Sequence, residues 1–165
     1  MPSDVYIRFD GLEGDSKDHL NEKWIEVDSV GFQFGMATTD ERSASGAATT
    51  GRVTATDVVF TKTMDTASLP LFQTLWRGTH VSKVEIKLYR AHQEERICYM
   101  RVELSDVVIS SASLSGVNGV GLPGESYTLN YGSILVEYTP TSKTAGGAQP
   151  KPIRVSLNTI THQIS

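Results

Sequence analysis

Hydrophobic and polar residues alternate along most of this chain, and the alternation predicts a protein built mainly from β-strands. In the clearest stretch, Val84, Ile86 and Leu88 are separated by single polar or amphipathic residues. A period of two sends successive side chains to opposite faces of a strand, so one face of this strand is expected to be buried. Further extended runs are predicted over residues 5–10, 24–35, 97–115 and 127–138, and over the residues that follow Gly51.

One segment departs from this alternation and repeats its apolar residues at the spacing of a helix. The apolar residues are Leu69, Leu71, Phe72, Leu75 and Trp76. Ser68 is expected to cap the start of the helix, Pro70 is tolerated in its first turn, and Gly78 can end it. The sequence therefore predicts a helix at about residues 69–77, with a wider apolar stripe than a single contact requires.

The alternation changes phase within two of the longer strands. Asp106 interrupts the first of these strands, and Gly132 interrupts the second. A register change or bulge at such a point bends a strand and lets it serve two sheets, as strands do at barrel corners. The predicted fold is therefore mainly β, a two-sheet β-barrel or sandwich with one flanking α-helix.

A linker-like sequence, PTSKTAGGAQPKP, separates the body of the chain from its C-terminal residues. Beyond it, Ile153, Val155 and Leu157 alternate with polar residues. This pattern predicts a terminal strand that pairs with a sheet edge, either of its own chain or of a neighbouring copy. We therefore divide the chain into a β-barrel domain, residues 1–140, and a linker with a C-terminal extension, residues 141–165.

Composition and charge narrow the classes of function. A chain of 165 residues with 39% hydrophobic residues is sized for one domain with its own core. The net charge of −4, without any basic run, argues against a protein that grips nucleic acid or an anionic membrane surface. No stretch approaches the roughly 20 apolar residues of a membrane helix. The N-terminal residues also lack the pattern of a Sec-type signal peptide, and the single cysteine, Cys98, excludes an intrachain disulfide.

A search for catalytic and ligand-binding motifs favours a protein that is not an enzyme. The four histidines show no metal-type spacing with one another or with Cys98. The acidic residues 10–22 place Leu12 and Gly14 where a calcium loop needs oxygen ligands. The glycines of residues 116–121 are ordered G-x-x-G-x-G, and no helix pattern follows, so a phosphate loop is not indicated. No metal or other cofactor is therefore expected.

Five blocks of sequence together resemble the haemolysin-coregulated protein (Hcp) family, the tube subunit of bacterial type VI secretion systems. The blocks are IRFDGLEGDSKD, GRVTATDVVFTKTMD, VEIKLYR, VELSDVVISSASLSG and YTLNYGSILVEYTP. They occur in the order of the family and lie within residues 4–140. The chain departs from the family pattern in its bulky helix residues and in its C-terminal extension.

The resemblance implies a structural protein that works by assembly. Six copies of such a protein form a ring, and the rings stack into a hollow tube that a contractile sheath drives out of the cell with its spike. Small effector proteins are carried in the lumen. The protein is then cytoplasmic during assembly and is afterwards secreted, outside the cell or into a target cell, without a Sec signal peptide.

Three surfaces of the chain are candidates for the contacts that such an assembly needs. For the lateral contact between subunits, the candidates are Phe72, Leu75 and Trp76; the alternative is that they serve only the core. For ring stacking, a polar stretch without periodicity, residues 36–50, supplies Thr39, Asp40, Glu41 and Arg42; the alternative is a disordered loop. For the lumen, the polar face of the strand at residues 24–35 supplies Ser29, Gly31 and Gln33, opposite Val30, Phe32 and Phe34; the alternative is an ordinary solvent-facing strand.

Other classes of function predict different structures. A monomeric β-sandwich that binds a ligand predicts that Tyr6, Trp24 and Tyr89 cluster on one exposed surface. A small secreted enzyme or effector predicts acids or histidines that converge in a pocket. A tail-tube protein of a contractile phage shares the tube architecture and differs in its biological setting.

Overall fold

The computed structural model describes residues 4–38, 50–92, 95–119, 121–140 and 151–165. Within these ranges the chain forms ten strands and one helix. In chain order the elements are β1 (Val5–Phe9), β2 (Ile25–Glu26), β3 (Ser29–Gly31), β4 (Phe34–Thr38), β5 (Thr50–Ala55), β6 (Val58–Thr63), α1 (Ser68–Arg77), β7 (Val81–His92), β8 (Glu95–Ser115), β9 (Gly124–Tyr138) and β10 (Ile153–Asn158). The predicted mainly β class with one flanking helix is confirmed.

Eight of the strands form one sheet, and that sheet closes on itself. Its order is β2-β1-β7-β8-β9-β6-β3, with β10 paired to β9 beside this path. The two end strands, β2 and β3, are separated by only Val27 and Asp28. The Val27 amide donates to the Val5 carbonyl (3.1 Å), and the Asp28 amide donates to the Thr61 carbonyl (2.8 Å). Residues 25–31 therefore act as one strand that joins β1 to β6 and closes an antiparallel barrel.

The two predicted phase changes lie opposite each other and form a single bend. Ser105 pairs with Ser133 and Val107 pairs with Tyr131, so Asp106 lies across from Gly132. Asp106 has a φ of 52°, which turns the backbone between two extended segments. The buried positions of β8 shift there from even to odd numbers, and those of β9 shift back from odd to even. β8 and β9 thus bend together, as the alternation predicted.

A two-stranded sheet, β4 with β5, lies outside the barrel sheet and corrects two predictions. Met36 pairs with Val53 and Thr38 pairs with Thr50, so both ends of the stretch predicted as a loop, residues 36–50, belong to strands. The predicted strand over residues 24–35 is divided among β2, β3 and β4. Phe34 lies in the hairpin and is 49% exposed, whereas Val30 packs against the core. The prediction that these two side chains share one apolar face of a single strand is wrong, because the chain leaves the barrel after β3 and β4 belongs to the separate two-stranded sheet.

The barrel interior is packed by the apolar face of each strand and by the inner side of α1. Phe60 stands at its centre, with its ring stacked on that of Tyr127 at 5.0 Å and tilted against that of Phe9 at 6.0 Å. Leu71 of α1 is fully buried against this group. The helix therefore covers one part of the barrel core.

The predicted end of α1 is confirmed, whereas its predicted start is wrong. Gly78 adopts the left-handed conformation, and the amides of Gly78 and Thr79 donate to the carbonyls of Leu75 and Thr74. This pair of bonds is the Schellman arrangement that glycine allows. At the other end Ala67 is the cap residue and makes no side-chain capping bond. Ser68 is instead the first helical residue, and its hydroxyl bonds to Lys62 and Glu125 inside the barrel.

A buried ion pair fastens the start of α1 to the barrel. Lys62 and Glu125 are cross-strand partners of β6 and β9, and their charged groups are 2.7 Å apart with both side chains fully buried. The Lys62 ammonium also donates to the Ser68 hydroxyl (3.0 Å) and forms an ion pair with Asp65 (2.8 Å). The Ser68 hydroxyl donates to Glu125 Oε2 (2.9 Å). Charges removed from water need such partners, and here each partner belongs to a different element.

We expect Lys62→Met to lower the free energy of unfolding by about 3–5 kcal/mol, because it leaves the Glu125 carboxylate buried without its cation. Urea unfolding followed by circular dichroism measures the change. Replacing both residues, Lys62→Met with Glu125→Met, should recover much of the loss, since no buried charge of the pair remains. Lys23→Met removes an exposed ion pair with Glu13 and should cost less than about 1 kcal/mol. Equal losses for Lys62→Met and Lys23→Met would contradict the assigned role of the buried pair.

Candidate assembly surfaces

The predicted contact residues of α1 divide between the core and the surface. Phe72 and Leu75 are partly buried and pack against the barrel core, and the Phe72 ring lies 6.0 Å from that of Tyr127. Trp76 is 77% exposed and Leu69 is 64% exposed. The Trp76 ring stacks on Phe72 at 6.2 Å, which holds the indole against the helix surface. The helix thus presents a fixed apolar face outward, on the side opposite Leu71.

The predicted lumen residues lie on the closing strand of the barrel. Ser29 and Gly31 are exposed in β3, and Gln33 is exposed between β3 and β4. The Ser29 hydroxyl shares a hydrogen bond with that of Thr61, and the Gln33 carbonyl accepts the amide and hydroxyl of Thr56. These groups form a small polar surface outside the barrel core. Their place in a lumen stays a prediction.

The predicted stacking residues Thr39, Asp40, Glu41 and Arg42 lie outside the described residues. The hairpin that carries them, β4 with β5, is described. It exposes Phe34 (49%) and Met36 (50%). The base of the predicted stacking segment is therefore a small, partly apolar hairpin, and the role of the segment stays a prediction.

Sequence reasoning missed a second apolar surface, at β9 and β10. β10 pairs with β9 of its own chain, which decides between the two predicted partners of the terminal strand. Tyr138, Ile153 and Val155 lie side by side there and are 46%, 61% and 57% exposed. The alternation of Ile153 and Val155 predicted a strand with one apolar face that pairs with a sheet edge. It carried no signal that this face would remain open to solvent.

The aromatic residues expected on the surface of a binding module are buried. Tyr6, Trp24 and Tyr89 form a second cluster, with exposed fractions of 1%, 7% and 7%. The rings of Tyr6 and Tyr89 meet edge to face at 5.8 Å, and the Arg96 guanidinium lies over both. Burial raises the pKa of both tyrosine hydroxyls. The prediction of an exposed aromatic site is wrong because residues 10–24 cover this face of the sheet.

Acidic residues do converge in one pocket, of about 230 Å³. It is lined by Asp15, Ser16, Glu26, Asp28, Thr63, Met64 and Asp65. Hydrogen bonds from Thr66 hold the pKa of the Asp15 carboxyl below its usual value, whereas a general acid needs a raised pKa. Asp65 is paired with Lys62, and Asp28 accepts the Thr63 hydroxyl. Within the described residues, no three His, Cys, Asp or Glu side chains are placed to hold a metal ion. Three of the four carboxylates that line the pocket are therefore engaged in structural hydrogen bonds or ion pairs.

The polar face of β7 and β8 carries a network of alternating charges. Glu85 accepts from Arg101 (3.1 Å) and pairs with Lys83 (3.1 Å), and Glu103 lies 3.6 Å from each of these cations. Residues directly opposite each other, such as Glu85 and Glu103, carry like charges, so the ion pairs form diagonally between the two strands and along each strand. Among the described residues, no helix reaches the length and apolar character that a membrane span requires.

Comparison with known proteins identifies the family. Residues 6–138 match the family model described as "Type VI secretion system effector, Hcp". The chain is 27% identical over 158 residues to "Protein hcp1" of Pseudomonas aeruginosa, and the match covers 96% of both chains. A solved structure described as a type six secretion system protein is 26% identical, with a TM-score of 0.88 over 99% of this chain and 100% of that one. Hcp1 from Salmonella typhimurium has a TM-score of 0.80 at 21% identity, with full coverage of both chains, and supports the fold.

We expect Arg96→Ala to lower the free energy of unfolding by about 2 kcal/mol, because it removes charged hydrogen bonds to Asp18 and to the Tyr6 hydroxyl. The loss of stability should be greatest in the segment that covers the aromatic cluster, residues 10–24. In this segment the amides of Gly14, Ser16 and Lys23 donate to carbonyls of residues 16–24. Hydrogen exchange should therefore accelerate at these amides more than in the barrel strands. Arg90→Ala, at an exposed position of the same hairpin, should change stability by less than about 0.5 kcal/mol. Uniform acceleration across the barrel would contradict a local role for Arg96.

Proposed function

Because the chain belongs to the Hcp family of type VI secretion proteins, we propose that it is a tube subunit of such a system. In this proposal six copies close into a ring, and the rings stack into a hollow tube. The tube is assembled in the cytoplasm and is driven out of the cell by a contractile sheath together with its spike. Effector proteins travel in the lumen.

The observation that carries this proposal is the exposed apolar face of α1. Full burial of a large apolar side chain is worth about 1.5–3 kcal/mol, and here Trp76 and Leu69 remain mostly in water. The face is rigid, since Trp76 rests on Phe72, which itself packs against the core. A rigid apolar face on a folded domain is suited to contact with another subunit. In the proposed ring, Trp76 makes that contact, while Phe72 and Leu75 support it from below.

The axial contacts and the lumen follow from the same proposal. Residues 39–42 would reach the next ring from the β4–β5 hairpin, whose exposed Phe34 and Met36 add apolar surface at its base. Ser29, Gly31 and Gln33 would face the channel, where uncharged polar groups suit a water-filled passage. Support for this placement comes from their exposure and from the absence of large side chains at the first two positions.

The rival classes receive less support from the described residues. The aromatic cluster proposed for a ligand-binding module is buried. Carboxylates that line the acidic pocket are engaged in structural hydrogen bonds and an ion pair. A phage tail-tube protein would share the assembly, and the family match favours the secretion system over it. A mechanism based on assembly geometry, with no bond made or broken, is the one that fits.

We expect the purified protein to have the solution mass of six protomers by light scattering, and we expect Trp76→Asp to reduce it towards that of one. A carboxylate in place of the indole would have to lose its hydration inside the contact, which is costly. Leu20→Asp supplies the matched control, since Leu20 is 51% exposed and lies in the segment that covers the aromatic cluster. Its mass should equal that of the unchanged protein, and circular dichroism checks that both variants remain folded.

A monomer at every concentration would overturn the ring. A folded Trp76→Asp variant that keeps the full mass would retain the ring and remove Trp76 from its lateral contact.

A further inference from the structure

We propose that α1 of one copy docks on the open end of the barrel's apolar face, at β9 and β10 of the next copy. The inference rests on the proposed function and names the two sides of the lateral contact. A ring has head-to-tail interfaces, so each subunit needs two different and complementary patches. The exposed face of α1 supplies one patch. The second patch must lie elsewhere on the same chain.

The apolar face of the sheet extends beyond the barrel onto β10. Strand register aligns three apolar rows across β7, β8, β9 and β10. The rows are Val84–Leu104–Ile134–Leu157, Ile86–Val102–Val136–Val155 and Leu88–Met100–Tyr138–Ile153. Each row begins as part of the barrel core and ends on the terminal strand. β10 therefore continues the core face outside the closed barrel.

Burial falls steadily along these rows. Val84 and Ile86 are fully buried at the β7 end, whereas Val155 and Ile153 are 57% and 61% exposed at the β10 end. Leu157 packs against the barrel core. The β10 end of the rows therefore becomes more exposed from the row of Leu157, nearest the bend, to the row of Ile153, farthest from it. A sheet face with this pattern needs a cover over its outer end. A helix with a free apolar side is the usual cover for such a face.

The backbone groups along part of the outer edge of β10 are hydrogen-bonded to the C-terminal residues. A partner is therefore expected to contact the face of this strand and not its edge. The Ser156 and Ser165 amides donate to each other's carbonyls (2.8 and 3.1 Å), and the Asn158 amide donates to the Gln163 carbonyl (2.9 Å). The returning C-terminal residues thus occupy the edge along the second half of β10. The opposite face of the strand carries the ion pair of Arg154 with Glu137, which is suited to water. The apolar face is the part left for docking.

The dimensions of the two patches agree. Leu69 and Trp76 lie two turns apart, about 10 Å along the helix axis. The two rows that are open at their outer end, those of Val155 and Ile153, lie about 7 Å apart along the strand, which is a comparable length. Other exposed apolar residues, such as Leu114, Val117 and Leu122, lie around the turn between β8 and β9. A turn of this kind offers no regular rows, so the β9–β10 face is the better seat for a helix.

The first test is the solution mass of Val155→Asp. We expect it to fall towards one protomer, as for Trp76→Asp, because the new carboxylate would lie under the docked helix. Arg154→Ser is the matched control, since it changes the opposite face of the same strand and should leave the mass unchanged. Val155→Thr keeps the branched shape needed in β10 and should raise the concentration for half-assembly about tenfold. This milder variant separates loss of contact from loss of the strand.

The second test is a cross-link made in a Cys98→Ala background. Gln73→Cys lies on the exposed helix face, and Lys151→Cys lies just before β10. A short bis-maleimide should link the double variant into a ladder of multimers, whereas each single variant should give no ladder. Gln73→Cys combined with Leu20→Cys controls for random encounter.

The outcomes separate this inference from the proposed ring. A ladder from Gln73→Cys with Lys151→Cys, together with dissociation of Val155→Asp, supports the docking. A full-mass ring in Val155→Asp that yields no ladder overturns the docking and leaves the ring intact. A monomeric unchanged protein overturns both.

Discussion

The strand at residues 25–31 is the constraint on which the rest of the structure depends. Its first half pairs with β1 and its second half with β6, so one short segment supplies both ends of the sheet. Closure removes the open edges that a sheet otherwise presents to other chains. It also commits the inner faces of six strands to a single core. Some of the apolar surface that does not fit inside this core lies on elements outside the barrel, among them α1 and β10.

The direction of α1 depends in turn on the buried ion pair at its start. Lys62 and Glu125 continue the inward-facing rows of Phe60 and Tyr127. The ion pair adds directional hydrogen bonds to the apolar packing of the helix on the barrel. Because Ser68 bonds to both charged groups, the first turn of α1 has one orientation. That orientation sends Leu71 into the barrel and Trp76 to the outside, so a core interaction determines which face is available for assembly.

Sequence patterns predicted the features whose causes are local. The period of two, the helical spacing of residues 69–76 and the phase changes at Asp106 and Gly132 each arise within one strand or helix. The particular strand pairing that closes the barrel, β3 with β6, was not predictable, because it joins residues about thirty positions apart. The burial of Trp24 and Tyr6 also depends on a covering segment that has no periodicity of its own. The position of Lys62, two residues after Phe60 on the inward face of β6, was a sequence signal of a buried charge. An isolated polar residue at that position is equally compatible with the end of a strand.

In the proposed tube, the lateral and axial contacts would use described surfaces of two kinds. The proposed lateral contact joins a rigid helix to a regular sheet face, and both sides are held in place by the barrel core. The proposed axial contact uses a two-stranded hairpin, which is marginally stable by itself and gains order from what it touches. Lateral closure would then join two elements that are packed on the core, whereas stacking would rest on a sheet of only two strands. This difference favours rings that persist as units while the tube built from them comes apart.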